Sequence, residues 1–213
     1  MDDCVAITLL RHGMTKENER KAYIGWTDSP LSKEGVETIR LIDHSIQPDF
    51  IFSSPLLRCM ETAEILFPNQ KIHSVRDIKE MNFGLFEGKT YEQLKGETSY
   101  TNWVSKPFSC RPPNGESFHE FAKRIESGWR EVVEKILETN ASSAVIVTHG
   151  GVIRYLLTTY TSYCKSFFEW SVPHGAGYQL IWSKDNLRRK EKCMSLQEVP
   201  ITEKEIGSKK HMN

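Results

Sequence analysis

The chain has 213 residues, 38% of them hydrophobic, which suits a single domain whose core needs no disulfide or metal to fold. Lysine plus arginine number 28, as do aspartate plus glutamate, so no net charge attracts the chain to nucleic acid or to an anionic membrane. The five cysteines form no Cys-x-x-Cys pair, which indicates free thiols rather than a disulfide framework or a zinc site.

The predicted elements alternate between strands and helices. Short apolar runs predict strands, and apolar residues spaced three and four apart predict helices. We expect, in chain order, a strand at 5–10, a helix at 32–46, a strand at 49–53, a helix at 55–67, a strand at 72–78, a helix at 117–138, a strand at 144–148, a helix at 152–160 and a strand at 178–182 that pairs with 193–199. This alternation predicts an α/β fold, a three-layer αβα sandwich around a mostly parallel central sheet.

Two regions interrupt the alternation. Residues 80–114 are loop-rich, with several glycines and prolines, and a long insertion of this kind in an α/β domain is often a lid or a substrate wall. The chain after residue 184 is charged and poor in aromatic side chains, and we expect 200–213 to be a flexible tail. The sequence therefore predicts one domain over 1–213, with an insertion at about 80–114.

Two of the predicted strands end in the same dipeptide. Arg11-His12-Gly13 follows the first strand, and His149-Gly150 follows the fourth. The carboxyl ends of parallel strands meet at one edge of an open sheet, where such folds bind their ligands. We therefore expect His12 and His149 to lie together, with the cationic Arg11 beside them.

Five blocks of residues follow one another along the chain. They are Arg11-His12-Gly13-Met14-Thr15-Lys16-Glu17-Asn18, Gly25-Trp26-Thr27-Asp28-Ser29-Pro30-Leu31-Ser32-Lys33-Glu34-Gly35, Ser53-Ser54-Pro55-Leu56-Leu57-Arg58-Cys59-Met60-Glu61-Thr62-Ala63, Glu80-Met81-Asn82-Phe83-Gly84-Leu85-Phe86-Glu87-Gly88 and Thr148-His149-Gly150-Gly151. This ordered set resembles the histidine phosphatase superfamily, also called the phosphoglycerate mutase-like family. The resemblance covers about 5–183, nearly the whole chain, and implies a phosphoglycerate mutase-like fold.

The resemblance implies that His12 is the nucleophile and becomes phosphohistidine, while His149 donates a hydrogen bond to the transferred group. A neutral imidazole is a competent nucleophile near pH 7, because its unperturbed pKa is about 6.5. Arg11 and Arg58 are expected to bind the phosphoryl oxygens, because a guanidinium offers a planar fork of donors. The resemblance also assigns four residues to the substrate-binding loops: Thr15, Asn18, Gly25 and Gly150.

The leaving alkoxide needs a proton, and the resemblance assigns Glu80 as the general acid that later activates water as a general base. The negative charge of a phosphate favours the protonated carboxyl that this role requires. Glu87 is the alternative in the same block, although we interpret it as structural. His174, in a turn near the last strand, is a residue that could approach the rim of the pocket.

The reaction is expected to need no metal and no cofactor, because the sequence has no His-x-x-x-His, no acidic cluster with ligand spacing and no Walker loop. The insertion has Arg111 as its single arginine, whereas cofactor-dependent phosphoglycerate mutases carry paired arginines there. Residues 111–118 resemble the short phosphatase branch, which includes α-ribazole phosphatases and broad-specificity phosphatases. We therefore predict a phosphomonoesterase for a small phosphorylated metabolite, with α-ribazole 5′-phosphate as the leading candidate.

Two alternatives remain at this point, a cofactor-dependent phosphoglycerate mutase and a non-catalytic module that binds a phosphorylated ligand. No apolar stretch approaches the length of a membrane span, and the acidic start Met1-Asp2-Asp3 is unlike a signal peptide. We expect a cytoplasmic protein that binds neither nucleic acid nor membrane. The sequence leaves its oligomeric state open.

Overall fold

A computed structural model describes residues 4–42 and 47–199 of the chain. Its centre is one six-stranded sheet with the strand order β3-β2-β4-β1-β5-β6. The strands are β1 (Cys4–Arg11), β2 (Phe50–Ser53), β3 (Ile72–Ser74), β4 (Ser143–Thr148), β5 (Gly177–Ser183) and β6 (Ser195–Val199). Strands β3, β2, β4 and β1 pair in parallel, and β5 pairs antiparallel with both β1 and β6, so the sheet is mostly parallel, as predicted.

The register of the two central strands brings their carboxyl ends side by side. In the parallel pair of β1 and β4, Arg11 lies opposite Thr148. The backbone N–H of His12 donates to the carbonyl oxygen of Thr148 at 3.0 Å. The two His-Gly sequences therefore leave the sheet at the same edge.

Helices cover both faces of the sheet. They are α1 (Lys16–Glu19), α2 (Lys33–Arg40), α3 (Leu57–Leu66), α4 (Tyr91–Leu94), α5 (Thr98–Ser105), α6 (Phe118–Glu138), α7 (Gly150–Tyr160) and α8 (Lys184–Arg188). Successive strand residues point to opposite faces. Leu10 belongs to a cluster with Ile39 of α2 and residues of α3, whereas Leu9 belongs to a cluster with Ile125 of α6 and residues of α7. This is the three-layer αβα sandwich that the sequence predicts.

The longest helix, α6, begins where its capping residues dictate. Ser117 Oγ accepts the Glu120 N–H at 3.2 Å, and the Glu120 carboxylate accepts the Ser117 N–H at 2.8 Å. The sequence predicts an apolar stripe of seven residues on this helix. Five of them are buried, Phe121, Ile125, Trp129, Val132 and Ile136, and the other two, Phe118 and Val133, are half-buried against the same core. This stripe fixes α6 on the sheet, next to the segment that follows β3.

Two predicted elements are shorter than expected. The strand predicted at 72–78 ends at Ser74, because the chain turns into a 3₁₀ helix, Arg76–Ile78. The carbonyl of Ile78 accepts a hydrogen bond from Thr148 Oγ1 at 2.8 Å. The helix predicted at 32–46 ends at Arg40. Residues 43–46 and the predicted tail at 200–213 lie outside the described ranges.

The expectation that 80–114 is loop-rich was wrong in part, since α4 and α5 lie within it. Both helices pack on a small separate core of Phe86, Leu94, Tyr100 and Trp103. Helices this short are stabilised by tertiary packing more than by the helix propensity of their residues. A prediction from glycine and proline content alone therefore does not find them. No helix within 4–42 and 47–199 is long and apolar enough to cross a membrane.

Candidate active site

His12 follows β1 directly and is almost completely buried. Its Nδ1 lies 2.7 Å from the carbonyl oxygen of Gly13, which can only accept, so Nδ1 carries the proton and Nε2 keeps its lone pair. Burial and the positive charge of Arg58 hold the pKa of His12 well below 6.5. His12 is therefore neutral near pH 7 with an unprotonated Nε2, the state that a nucleophilic imidazole requires.

The guanidinium groups of Arg58 and Arg11 lie close enough to His12 for their positive charges to add to the effect of burial and lower its pKa. Arg11 Nη1 donates to the carbonyl of Val172 at 2.6 Å, and burial lowers the pKa of Arg11 to about 10, so it stays cationic. Arg58, on the first turn of α3, is buried and donates to the carbonyls of Thr27 and Gly25 at 2.9 and 2.6 Å. The Nε–H of both arginines is buried without a hydrogen-bond partner among the described residues. Such donors are costly to leave unpaired, which favours an anion between them.

His149 approaches His12 from the end of β4. The two ring centroids are 5.2 Å apart, at an interplanar angle of 63°. His149 Nε2 lies 2.8 Å from Ser54 Oγ, which fixes the orientation of the ring. Cys59 Sγ lies 3.5 Å from the same nitrogen, and burial raises the pKa of this thiol to about 12. Cys59 is therefore a neutral packing neighbour of the site.

Glu80 is held beside the His149-Gly150 segment by two backbone N–H groups. Its Oε2 accepts from Gly151 and its Oε1 from Met81, both at 2.9 Å. A Cβ on Gly151 would stand 2.3 Å from Glu80 Oε1, so the carboxylate can occupy this position only because residue 151 is glycine. The charge of Glu80 acts on both Arg11 and Arg58, which puts all three in one electrostatic cluster.

Sequence reasoning missed the residues that fix the backbone of Glu80. Arg124 Nη2 donates to the carbonyl of Glu80 at 3.1 Å, and the same nitrogen lies 2.7 Å from Glu116 Oε2. Trp26 Nε1 donates to the same carbonyl at 2.9 Å. The side chains of Arg124 and Glu116 are only 14% and 11% exposed. The feature that identifies Arg124 as a positioning residue is its nearly buried ion pair with Glu116 at the start of α6. This ion pair can be recognised only from the folded structure.

His174 lies closer to the site than its expected position at the rim. Its ring centroid is 5.2 Å from that of His12, and its Nδ1 lies 3.2 Å from the carbonyl oxygen of His12. Burial lowers the pKa of His174 to about 3, so the ring is neutral and donates from Nδ1. The next residue, Gly175, donates its N–H to the carbonyl of Arg11 at 3.1 Å. This turn therefore holds the backbone that carries Arg11 and His12.

Glu87 supports a loop of the site. Its carboxylate accepts the N–H groups of Trp26 and Thr27 at 2.8 and 2.6 Å. The carbonyl of Gly25 in the same loop accepts from Arg58, and a Cβ on Gly25 would stand 2.0 Å from the carbonyl oxygen of Met81. These contacts are those of a structural carboxylate and a closely packed glycine.

Of the other predicted substrate-binding residues, Gly150 lies close to Arg11, whereas Thr15 and Asn18 bond to each other. Gly150 begins α7, and a Cβ on it would stand 3.4 Å from Arg11 Cζ. Thr15 is buried and forms the capping box of α1 with Asn18, whose side chain accepts the Thr15 N–H at 3.1 Å. Within the described ranges, no hydrogen bond joins Thr15 or Asn18 to His12.

A cavity of about 450 Å³ opens beside Glu80 and Gly151. Seven aromatic side chains line it, among them Phe83, Trp103 and Phe121. Small-molecule pockets span roughly 300–1,000 Å³ and are mostly apolar, so this cavity has the size and lining of a ligand site. In residues 4–42 and 47–199, no group of three or more His, Cys, Asp or Glu side chains is arranged to hold a metal ion.

The profile of the "Histidine phosphatase superfamily (branch 1)" matches residues 7–191, and the chain belongs to this family. A Hydrogenobacter thermophilus protein named "Putative phosphoserine phosphatase 2" is 30% identical in an alignment that covers 72% of this chain and 77% of that protein. A 2,3-bisphosphoglycerate-dependent phosphoglycerate mutase of Chlamydia abortus is 27% identical in an alignment that covers 71% of this chain and 82% of the mutase. The crystal structure of the alpha-ribazole phosphatase from Shigella flexneri aligns with a TM-score of 0.73 at 26% identity, over 83% of this chain and 90% of that one. These three names describe different reactions, so the family is clear and the substrate has to be argued from the site.

Proposed function

We propose that the chain is a metal-independent phosphomonoesterase that hydrolyses a small phosphorylated metabolite through a phosphohistidine at His12. The observation that carries this proposal is the neutral His12, with an unprotonated Nε2, next to the unpaired Nε–H groups of Arg11 and Arg58. A phosphoryl group carries its charge on peripheral oxygens, so its transfer requires cationic donors around it and a nucleophile in line. Membership of the histidine phosphatase superfamily supports the same chemistry.

In the first step, His12 Nε2 attacks phosphorus while the bond from phosphorus to the ester oxygen breaks. Glu80 gives its proton to the leaving oxygen, which departs as a neutral alcohol. The phosphorylated imidazole is cationic, and its Nδ1–H remains bonded to the carbonyl of Gly13, which stabilises that charge. Arg11, Arg58 and His149 surround the transferred group and hold its oxygens.

In the second step, a water molecule replaces the alcohol. Glu80, now a carboxylate, takes a proton from the water while the water oxygen attacks phosphorus and the bond to His12 Nε2 breaks. Inorganic phosphate leaves, and both His12 and Glu80 return to their starting protonation states. The backbone contacts from Gly151 and Met81 hold the carboxylate in position for both transfers.

The aromatic cavity beside Glu80 supports an apolar or aromatic alcohol as the leaving group. α-Ribazole 5′-phosphate, whose alcohol carries a bicyclic aromatic base, is the first named ester to test.

A mutase has to hold a bisphosphorylated intermediate, which requires additional cations. Among the described residues that line the cavity, Arg154 alone is cationic, so the lining supports hydrolysis over mutase activity.

The test is ³¹P NMR of the purified protein in EDTA with α-ribazole 5′-phosphate, 3-phosphoglycerate, a bisphosphoglycerate primer and 4-nitrophenyl phosphate. Growth of inorganic phosphate at the expense of any ester is the expected result. The appearance of 2-phosphoglycerate with little free phosphate would identify a mutase. The absence of both products would contradict the proposal.

The variant His12→Ala separates an enzyme from a binding module, since binding of a phosphorylated ligand can survive it and turnover cannot. His119→Ala, on the exposed side of α6, is the matched control. Turnover that persists in His12→Ala and in the control alike would contradict the assignment of the nucleophile.

A further inference from the structure

Arg154, on α7, lies in the wall of the aromatic cavity and has no part in the two steps above. Its Nε donates to the carbonyl of Trp170 at 3.0 Å. Neither of its Nη groups hydrogen-bonds to a residue within 4–42 or 47–199, and none of the five ion pairs formed in those ranges includes it. The cavity therefore contains a guanidinium that is fixed through its Nε, while its two Nη groups have no hydrogen-bond partner among the described residues.

Burial lowers the pKa of Arg11 and the positive charge of this guanidinium acts in the same direction, so Arg154 lies next to the phosphoryl site. Arg154 Nη1 lies 3.6 Å from the point where a Cβ of Gly150 would stand, and Arg11 Cζ lies 3.4 Å from the same point. Arg11 is anchored on Val172, whereas Arg154 faces the cavity with Glu80 and aromatic side chains as neighbours. An ester held at His12 would extend its alcohol part past Glu80 and towards Arg154.

We propose that Arg154 binds an acidic group, such as a carboxylate, on the alcohol part of an aromatic phosphate ester and thereby selects the substrate. Arg154 is half-buried, and its Nη groups have no carboxylate partner among the described residues, so an anionic ligand is favourable there. The planar fork of a guanidinium matches the two oxygens of a carboxylate.

This inference rests on the proposed function, because it describes the leaving group of the same reaction. It also narrows the substrate class. The alcohol of α-ribazole 5′-phosphate is uncharged near pH 7, so the inference favours an acidic aromatic ester over it.

The test compares two esters that differ in one charge, 4-(carboxymethyl)phenyl phosphate and its amide, 4-(carbamoylmethyl)phenyl phosphate. The methylene group insulates the phenol oxygen, so the two leaving groups have nearly equal acidity. The wild-type protein should prefer the acid over the amide in kcat/KM by about tenfold, the effect of one charge-assisted hydrogen bond. Arg154→Gln should lower kcat/KM for the acid about tenfold more than for the amide.

Two further variants control for folding and for long-range charge. Arg154→Lys keeps the charge without the fork and should recover part of the preference for the acid. Lys165→Gln removes an exposed charge next to Trp170 and should leave the preference unchanged. Equal losses for the two esters in Arg154→Gln, or no preference in the wild-type protein, would overturn the proposal.

Binding of the two product alcohols, 4-hydroxyphenylacetate and 4-hydroxyphenylacetamide, separates this inference from the proposed function. Calorimetry with the wild-type protein should show tighter binding of the acid, and Arg154→Gln should abolish the difference. Selective binding of the acid without hydrolysis of either ester would contradict the proposed function alone. Hydrolysis of both esters without selective binding would contradict the role of Arg154 alone.

Discussion

The variant Gly151→Ala should disable Glu80 while leaving the fold intact. The new Cβ would stand 2.3 Å from Glu80 Oε1 and 3.1 Å from its Cδ, so the carboxylate has to move. It would lose the 2.9 Å hydrogen bond from the Gly151 N–H that now orients it. Residue 151 is the second residue of α7, where alanine is favoured over glycine by up to about 1 kcal/mol, so we expect no loss of thermal stability.

The size of the effect should depend on the leaving group. A positioned general acid contributes roughly 10²–10⁴-fold. An alkyl phosphate needs its leaving oxygen protonated, so kcat/KM should fall by about 10²-fold or more. The leaving group of 2,4-dinitrophenyl phosphate is stable without a proton, so its kcat/KM should fall less than about tenfold.

A stopped-flow assay with 2,4-dinitrophenyl phosphate adds a second signature. Since Glu80 is also the proposed base for the water step, Gly151→Ala should release one equivalent of dinitrophenolate rapidly and then turn over slowly. Gly96→Ala, where an added Cβ would meet no atom within 4 Å, is the matched control. Equal losses for the alkyl and dinitrophenyl esters, or no loss for either, would refute the role proposed for Glu80.

Three other predictions follow from the same contacts. His174→Asn keeps a donor for the carbonyl of His12, whereas His174→Ala removes it. The value of kcat should therefore fall about fivefold in the alanine variant only. An equal loss in both variants would contradict a positioning role for His174. Burial holds the pKa values of His12, His149 and His174 below the unfolded value of 6.5, so the unfolded chain takes up more protons as the pH falls. The unfolding free energy, measured with urea, should therefore decrease by about 4 kcal/mol between pH 7 and pH 5.5, and a flat profile would contradict these buried neutral states. Phosphatase activity should persist after dialysis against EDTA, and its loss with recovery on adding a divalent cation would exclude a metal-independent mechanism.

The arrangement of the central strands could be predicted because it follows from local patterns. The apolar run of β1 and that of β4 each end in His-Gly, and parallel strands bring such ends to one edge. The observed 5.2 Å between the rings of His12 and His149 is the consequence of that register. Helix α6 was predictable for a similar reason, since its capping box and apolar stripe are both local.

The contacts that position the site could not be predicted, because they join residues from distant parts of the chain. Arg124 reaches the backbone of Glu80 across 44 positions in sequence, and His174 reaches that of His12 across 162. Nothing in the local sequence distinguishes such a residue from an ordinary surface arginine or a turn histidine. The same applies to Arg154, whose unpaired guanidinium is recognisable only once the wall of the cavity is known.

Trapping the phosphorylated intermediate shows directly whether His12 carries the phosphoryl group. The protein would be mixed with 2,4-dinitrophenyl phosphate, quenched in alkali, which preserves phosphohistidine, and digested for mass spectrometry. We expect a peptide that contains His12 phosphorylated on Nε2, and no phosphorylated peptide from His12→Ala. A phosphoryl group found on another residue, or product formed with no phosphoenzyme at any quench time, would rule out His12 as the nucleophile.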